Sequence, residues 1–158
     1  MTLILELPQQ YGLVLAVATS SFFVNTLHMI RTSSLRKSSG VKYPNAYASA
    51  QEAEKDSNAY AFNCAQRAHA NFTENHTSFI GALLISGLHF PLAAGILGAT
   101  WNVSRVLYLY GYTSQAGPSG RRTFVTSQSA CGALGSALSD FVLKLMAVYT
   151  SVQIILAK

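Results

Sequence analysis

Charged residues are scarce in this sequence. Only 11% of its 158 residues are Asp, Glu, Lys or Arg and half are hydrophobic, whereas about a quarter of the residues in soluble domains are charged. No charged side chain occurs between Tyr11 and Ile30, or between Glu74 and Arg105. A hydrocarbon core of roughly 30 Å is crossed by about 20 apolar residues of helix. The composition therefore excludes an ordinary soluble domain and predicts membrane-spanning helices.

Cysteines are few as well. Cys64 and Cys131 are the two cysteines of the chain, and both fall within predicted helices, where a buried small hydrophobe is the ordinary interpretation. We assign neither a disulfide nor a catalytic thiol, and we predict no metal site. The net charge of +5 comes from cations that flank the apolar segments. Because no aromatic-rich basic patch or nucleic-acid motif is present, no nucleic-acid partner is expected.

Four apolar segments predict a single all-α domain over residues 1–158, an integral membrane four-helix bundle. The spans are expected at about 10–31, 59–88, 92–114 and 123–156, and a tight turn around Pro91 separates the second from the third. The polar stretch of about 32–58 is the expected extramembrane loop. The positive-inside rule makes this loop and the second basic loop cytoplasmic, because both lie on the same face and carry the flanking cations Arg31, Arg36, Lys37, Lys42, Arg121 and Arg122.

Three polar side chains share one face of the second predicted span. Arg67, Asn71 and Glu74 recur at the i, i+4 and i+7 positions of a helix. A guanidinium, an amide and a carboxylate on one face favour a site for a small zwitterionic ligand, since burial in hydrocarbon without partners would cost several kcal/mol. Two alternatives remain open: Arg67 snorkels to the headgroups, or it forms a structural pair with Glu74.

A second polar stripe follows in the third span, where Arg105, Tyr108 and Tyr112 recur at i, i+3 and i+7. No carboxylate lies near Arg105 in sequence, so its guanidinium is expected to bind an anion. The alternative for the tyrosines is an interfacial aromatic belt. In an up-and-down bundle both stripes approach the face of the cationic loops, and they can converge on one ligand.

Two further patterns are interpreted structurally. Asp140 and Lys144 stand at i, i+4 and are expected to pair with each other within the fourth span. Small residues line one face of a helix at Cys131, Gly135 and Ser139, and also at Gly95 and Ala99. Such surfaces let membrane helices approach closely, so tight bundling or oligomerisation is expected.

The two stripes also carry a resemblance. The element Arg67-x-x-x-Asn71-x-x-Glu74, followed in the next helix by Arg105-x-x-Tyr108-x-x-x-Tyr112, resembles the membrane-associated proteins in eicosanoid and glutathione metabolism (MAPEG family). The similarity is greatest to the microsomal glutathione transferase type three branch of that family, and it covers essentially the whole chain. It implies a homotrimer of four-helix subunits in which glutathione, as co-substrate, lies at each subunit interface.

The resemblance also implies roles for individual residues. Arg105 would be catalytic, because a cation beside the glutathione sulfur favours thiolate over thiol. The implied contacts to the rest of glutathione come from Arg67, Asn71, Glu74, Tyr108, Tyr112, Arg121 and Lys37.

The implied reactions are conjugation of lipophilic electrophiles and reduction of lipid hydroperoxides, with substrates entering from the membrane lipid. The endoplasmic reticulum is the expected location, and the mitochondrial outer membrane is the alternative. Two other functions remain open from the sequence. One is a leukotriene C synthase-like conjugase, and the other is a non-catalytic membrane partner that binds glutathione or lipid.

Overall fold

The structure is a computed structural model that describes residues 6–114 and 127–156. Over these two ranges all regular secondary structure is helical. The helices are α1 (Tyr11–Ser39), the short α2 (Ala50–Lys55), α3 (Ser57–Gly87), α4 (Pro91–Thr113) and α5 (Ser127–Leu156). Helix α4 has proline at its first position, where the missing N–H removes no intrahelical bond. The all-α class inferred from composition is therefore confirmed.

Helix α1 is longer than the predicted first span. It continues beyond residue 31 for two further turns and ends at Gly40, whose φ of 68° gives the left-handed cap that glycine adopts without strain. The predicted loop over 32–58 is therefore wrong at its start, which is helical and carries Arg36 and Lys37 in its last turn. That loop also contains α2, which a capping box between Ser49 and Glu52 begins.

Two helices of the described ranges are long and apolar enough to cross a membrane, α1 with a mean hydropathy of 1.7 and residues Gln128–Leu156 of α5 with 1.5. Their outer faces are apolar and exposed. On α1 these exposed residues include Leu13, Leu15, Phe22, Phe23, Leu27, Met29 and Ile30, and on α5 they include Leu134, Leu138, Phe141, Leu145, Val148, Ile154 and Ile155. Apolar side chains on the outside are what a helix facing lipid requires. The four spans and the orientation of the loops stay predictions.

The core lies where α1, α3, α4 and α5 meet. Its largest fully buried side chains include Phe72, Phe79 and Leu83 of α3 and Trp101 of α4. The rings of Phe79 and Trp101 stack with centroids 3.8 Å apart. This packing fixes the rotation of α3 against α4, and it therefore aims one face of each helix at the polar site described below.

Small residues bring α4 and α5 into backbone contact. A Cβ added at Gly132 would lie 2.6 Å from the Ser104 carbonyl oxygen and 2.6 Å from the Tyr108 nitrogen. A Cβ at Gly135 would lie 2.5 Å from the Ser104 hydroxyl oxygen. The small-residue face of α5 was thus correctly expected to permit close approach, but Cys131 is exposed rather than packed in the interface, so its interpretation as a buried hydrophobe is wrong. Cys64 is buried as expected.

Hydrogen bonds join α1 to its neighbours. Arg31 donates from Nε to the Thr113 hydroxyl at 3.1 Å and from Nη2 to the Thr113 carbonyl at 3.3 Å. Asn102 donates to the Val17 carbonyl at 3.1 Å and to the Ser20 hydroxyl at 2.8 Å. The Arg31 contacts satisfy a carbonyl in the last turn of α4, which has no partner within its own helix. They hold the end of α4 that carries the tyrosines against α1.

Candidate active site

Arg105 lies inside the bundle. Its side chain is buried, with the residue only 4% exposed, and Nη2 donates a hydrogen bond of 2.9 Å to Oδ1 of Asn71. Nε of Arg105 is shielded from water and has no hydrogen-bond partner. The prediction that the stripes of α3 and α4 converge is therefore met by one direct contact, between Asn71 and Arg105.

Aromatic rings surround the Arg105 guanidinium. Its carbon Cζ lies 5.4 Å from the Trp101 ring centroid, 5.4 Å from that of Tyr108 and 5.7 Å from that of Phe72. Ring faces attract a cation when they lie within about 6 Å. The rings therefore help to keep the guanidinium charged in an apolar interior, and they leave its direction to be fixed by Asn71.

A cavity of about 260 Å³ opens beside Arg105, between α3, α4 and α5. It is lined by Asn71, Asn75, Trp101, Arg105, Tyr108, Ala133, Ser136, Ala137 and Asp140. A cavity needs only about 10–15 Å³ to hold one water, so this one can accept a much larger group. Three residues predicted for the site, Asn71, Arg105 and Tyr108, thus share one cavity.

Asp140 is the residue that sequence reasoning did not assign to the site. It pairs with Lys144 as the i, i+4 spacing predicted, but it also lines the cavity that contains Arg105. Arg105 has no carboxylate near it in the sequence, because 35 positions separate it from Asp140. In the folded chain both residues line the same cavity. Their approach depends on the contact between α4 and α5. The sequence feature that could have indicated Asp140 as a site residue is its position as an acid in the middle of an apolar helix, which is unusual.

Arg67 and Glu74 occupy a different environment from Asn71. Arg67 Nη1 and Glu74 Oε1 are 3.2 Å apart, and both side chains are about half exposed, at 54% and 53%. This contact is the structural pair between Arg67 and Glu74 that the sequence left open as an alternative. They do not line the cavity to which Asn71 belongs, and their half-exposed charges remain accessible to a ligand.

Tyr112 and Tyr108 form a stack on the same face of α4. Their ring centroids are 5.3 Å apart with an interplanar angle of 14°. Tyr108 belongs to the cavity wall, and Tyr112 extends the aromatic surface by one turn toward the end of α4. Tyr110 points elsewhere and is 46% exposed, in agreement with its position off the predicted stripe.

Lys37 does not line this cavity. Lys37 lines a separate recess of about 370 Å³ near Gly40 and Tyr43. Arg121 and its neighbour Arg122 lie outside the described residues. Arg36 is the other cation at the end of α1. Its guanidinium lies over the rings of Tyr43 and Phe62 and donates a hydrogen bond of 2.9 Å to the Asn45 carbonyl. These contacts hold the loop that follows α1.

His69 of α3 packs toward α1. Its ring centroid lies 6.0 Å from that of His28 on α1, and His28 packs against Phe72 at 4.7 Å. No group of three or more potential metal-binding side chains occurs in the parts of the chain that the structure describes. His28 and His69 lie at the contact between α1 and α3.

The apolar helices and the cavity lined by charged side chains define a class of protein, an integral membrane helical protein with a polar site between its helices. The comparison with known families makes this more specific. The model of the MAPEG family matches residues 14–139, and the chain belongs to the MAPEG family. The matched range contains Arg67, Asn71, Glu74, Arg105, Tyr108 and Tyr112. The family uses glutathione as a substrate, so membership indicates a glutathione-related function of the transferase, peroxidase or eicosanoid type.

Proposed function

We propose that this protein is a membrane glutathione transferase that activates glutathione as its thiolate. The thiolate is conjugated to lipophilic electrophiles and also reduces lipid hydroperoxides. The observation that carries the proposal is the buried Arg105 guanidinium beside a cavity, oriented by Asn71 and with Nε unused. Membership of the MAPEG family supports glutathione as the occupant. Among the branches of the family, the type three microsomal transferases are the ones whose motifs it resembles most.

The proposed role of Arg105 follows from the chemistry of the thiol. A free thiol has a pKa near 8.5, and the thiolate is the nucleophile. A cation beside the sulfur favours the charged form, and in a site that excludes water its effect is larger than in solution. A decrease of about two pKa units, equivalent to about 2.7 kcal/mol, would make glutathione mostly ionised at neutral pH.

Two reactions then become available to the thiolate. In conjugation, sulfur forms a bond to an electrophilic carbon and the leaving group departs with the bonding electron pair. In peroxide reduction, sulfur attacks the terminal oxygen of the hydroperoxide, the O–O bond breaks, and the alkoxide takes up a proton to become an alcohol. The resulting glutathione sulfenic acid reacts with a second glutathione to give the disulfide and water. Arg105 would stabilise the negative charge before the attack in both cases.

The remaining predicted residues are proposed to hold the peptide. Arg67 and Glu74 offer opposite charges at the exposed surface of α3. Asn71 and Tyr108 offer an amide and an aromatic ring beside Arg105, and Tyr112 stacks on Tyr108. Lys37 lies away from the cavity of its own chain. Its participation is therefore proposed to occur across a subunit interface in a homotrimer, and Arg121 is proposed to contact a glutathione carboxylate.

We further propose that α1, α3, α4 and α5 each cross the membrane, with the basic loops on the cytoplasmic side. Such an arrangement lets glutathione arrive from the cytosol and lipophilic substrates arrive from the bilayer. The endoplasmic reticulum is the proposed location, with the mitochondrial outer membrane as the alternative. Cation clusters beside the spans and exposed apolar faces on α1 and α5 support this topology.

The test of the proposed function is the ultraviolet absorbance of glutathione thiolate on the purified protein in detergent, measured across pH. The wild type is expected to show the band near neutral pH. Arg105→Ala should retain most glutathione binding but lose the band, whereas Arg67→Ala should weaken binding itself. The two arginine variants serve as controls for each other. Normal conjugation by both variants would contradict the assigned roles, and glutathione binding without a thiolate band in the wild type would favour a non-catalytic binding protein.

A further inference from the structure

An apolar groove of about 360 Å³ runs along the outside of the bundle between α1 and α4. A Cβ on the buried Gly95 would lie 3.4 Å from Cβ of Leu13, so this glycine brings α4 close to α1 at the base of the groove. No charged side chain lines the groove, and none of its residues lines the Arg105 cavity. The lining residues are Leu13, Ala16, Val17, Leu92, Gly95, Ile96 and Ala99.

The dimensions of the groove suit a narrow occupant. From Leu92 to Ala99 it extends about 10 Å along α4, at about 1.5 Å per helical residue, and one leaflet contributes about 15 Å to the hydrocarbon core. Seven residues line the groove, whereas a stable protein interface uses about 20–30 residues on each side. The groove therefore matches the upper part of one acyl chain better than it matches a helix of another protein.

Two helix N-termini flank one end of this groove. Leu13 is the third residue of α1 and Leu92 is the second residue of α4, so both helices begin at this end. Neither N-terminus is capped by a side-chain hydrogen bond, and neither helix has an acidic residue in its first turn. A helix N-terminus carries a partial charge of about +0.5, which attracts anions. An acyl chain that enters the groove from this end brings the phosphate of its lipid toward these two partial charges.

We propose that the groove binds one acyl chain of a glycerophospholipid whose phosphate lies at the N-termini of α1 and α4. This assignment rests on the proposed crossing of the membrane by both helices, and it does not depend on glutathione. The basic residues of α1 lie in its last turn, so the bound lipid belongs to the leaflet on the opposite side. Its acyl chain fills the space between α1 and α4 and joins their outer surfaces.

The competing interpretation is that lipids touch the groove only as they touch the rest of the outer surface. The outer face of α5 provides the comparison, because Leu134, Leu138 and Leu145 are apolar and 55–72% exposed and do not line the groove. Lipids that merely surround the protein should contact both surfaces with the same concentration dependence. A lipid held by its chain and its phosphate should occupy the groove at a lower concentration than it occupies the face of α5.

The experiment titrates the purified full-length protein in detergent with phosphatidylcholine that carries a photoactivatable diazirine in its upper acyl chain. Labelling of residues 13–17 and 92–99 should reach half-saturation at a lipid concentration about tenfold lower than labelling of residues 134–145. Diacylglycerol with the same chains lacks the phosphate, so it should need about tenfold more lipid to label the groove, the order of one contact at a helix terminus.

Two exposed alanines of α4 provide matched variants. Ala99→Phe places a large ring in the groove and should abolish its saturable labelling without changing the labelling of α5. Ala93→Phe is the control, because Ala93 is exposed on the same helix and does not line the groove. It should label like the wild type.

Each contrary outcome is distinct. Equal half-saturation of the groove and the face of α5 in the wild type would overturn the assignment without any variant, and so would saturable labelling that survives in Ala99→Phe. Equal labelling by diacylglycerol would overturn the placement of the phosphate. Labelling of α5 but not of the groove would show that a second copy of the chain covers it, which overturns the assignment and leaves the membrane topology intact. Labelling of neither surface would overturn the proposed topology as well.

Discussion

The side chain of Arg105 combines deep burial with incomplete hydrogen bonding, and its surroundings explain how an apolar bundle tolerates it. One of its nitrogens is bound by Asn71 and the faces of three aromatic rings surround its charge. Nε is buried and has no hydrogen-bond partner. Asn71 is therefore best understood as the residue that orients Arg105, and its own contact with a ligand would be secondary.

Replacing Asn71 tests this dependence. Asn71→Leu preserves the approximate size of the side chain and leaves Nη2 of Arg105 without its acceptor, so we expect a loss of about 1–3 kcal/mol in the free energy of unfolding. Thermal unfolding in detergent without ligand measures it. Asn75→Leu is the matched control, because Asn75 lines the same cavity and its amide donates only to the carbonyl of Asn71 within α3. Equal destabilisation by both variants would contradict the orienting role.

At the scale of the helices, the site depends on how closely α4 and α5 approach. Gly132 has no room for a Cβ, since the nearest backbone atoms of α4 would be 2.6 Å away. A Cβ placed at Gly81 of α3, in contrast, meets nothing within 4 Å. The cavity wall is shared by Tyr108 of α4 and by Ser136 and Asp140 of α5. Any separation of these two helices changes the wall.

The two glycines allow a matched comparison of one substitution. We expect Gly132→Ala to push α5 from α4 and to lower the free energy of unfolding by about 1–3 kcal/mol, the usual cost of overpacking. Gly81→Ala should be neutral or stabilising by up to about 1 kcal/mol, because alanine is the better helix former. Thermal unfolding gives the stability, and the thiolate band reports the site. Gly132→Ala with unchanged stability and band would show that the close approach is unimportant.

We expect the short helix α2 to lie outside the membrane and to contribute a pH dependence. The Ser49 backbone N–H and then its hydroxyl hold the pKa of Glu52 below its usual value. Because the pKa is lower in the folded state, the stabilisation is present above the unfolded pKa of Glu52 and is lost as pH falls through the folded one. Amide hydrogen exchange should show α2 loosening over this acidic range. Glu52→Gln should remove that pH dependence, and its persistence would assign the effect to another group.

The helices differ in how much of them can be read from the sequence. Spacing along one helix is a local property, so the sequence places Arg105, Tyr108 and Tyr112 on one face of α4. It places Asn71 on one face of α3 with Arg67 and Glu74, but only the packing of the helices brings Asn71 alone of these three to Arg105. The approach of Asp140 depends on the rotation of α5 against α4, which packing of glycines against backbone determines. The length of α1 was underestimated because charged residues suggested a loop, although Arg31 is bonded to Thr113 of α4 and Arg36 is held by the Asn45 carbonyl and the ring of Phe62.

For the whole molecule, the two apolar faces and the position of Lys37 bear on assembly. The Lys37 side chain does not line the Arg105 cavity, in whose chemistry it is proposed to take part, but lines a separate recess near Tyr43. A cyclic trimer has three equivalent heterologous interfaces. Each can join the Arg105 cavity of one subunit to the Lys37 face of the next. Neither residue of a single chain would then make a complete site alone.

Mixed assemblies test whether the site is shared. Homotrimers of Lys37→Met or of Arg105→Ala are both expected to have low conjugating activity, because every site lacks one of the two cations. If equal amounts are co-expressed and mix randomly, about a quarter of the interfaces should contain an intact Arg105 beside an intact Lys37. Activity should therefore recover to about a quarter of the wild-type value, and purified homotrimers combined after assembly serve as the control. If the co-expressed trimers stay as inactive as this control, the two residues do not form a site shared between subunits, and each would act within its own subunit.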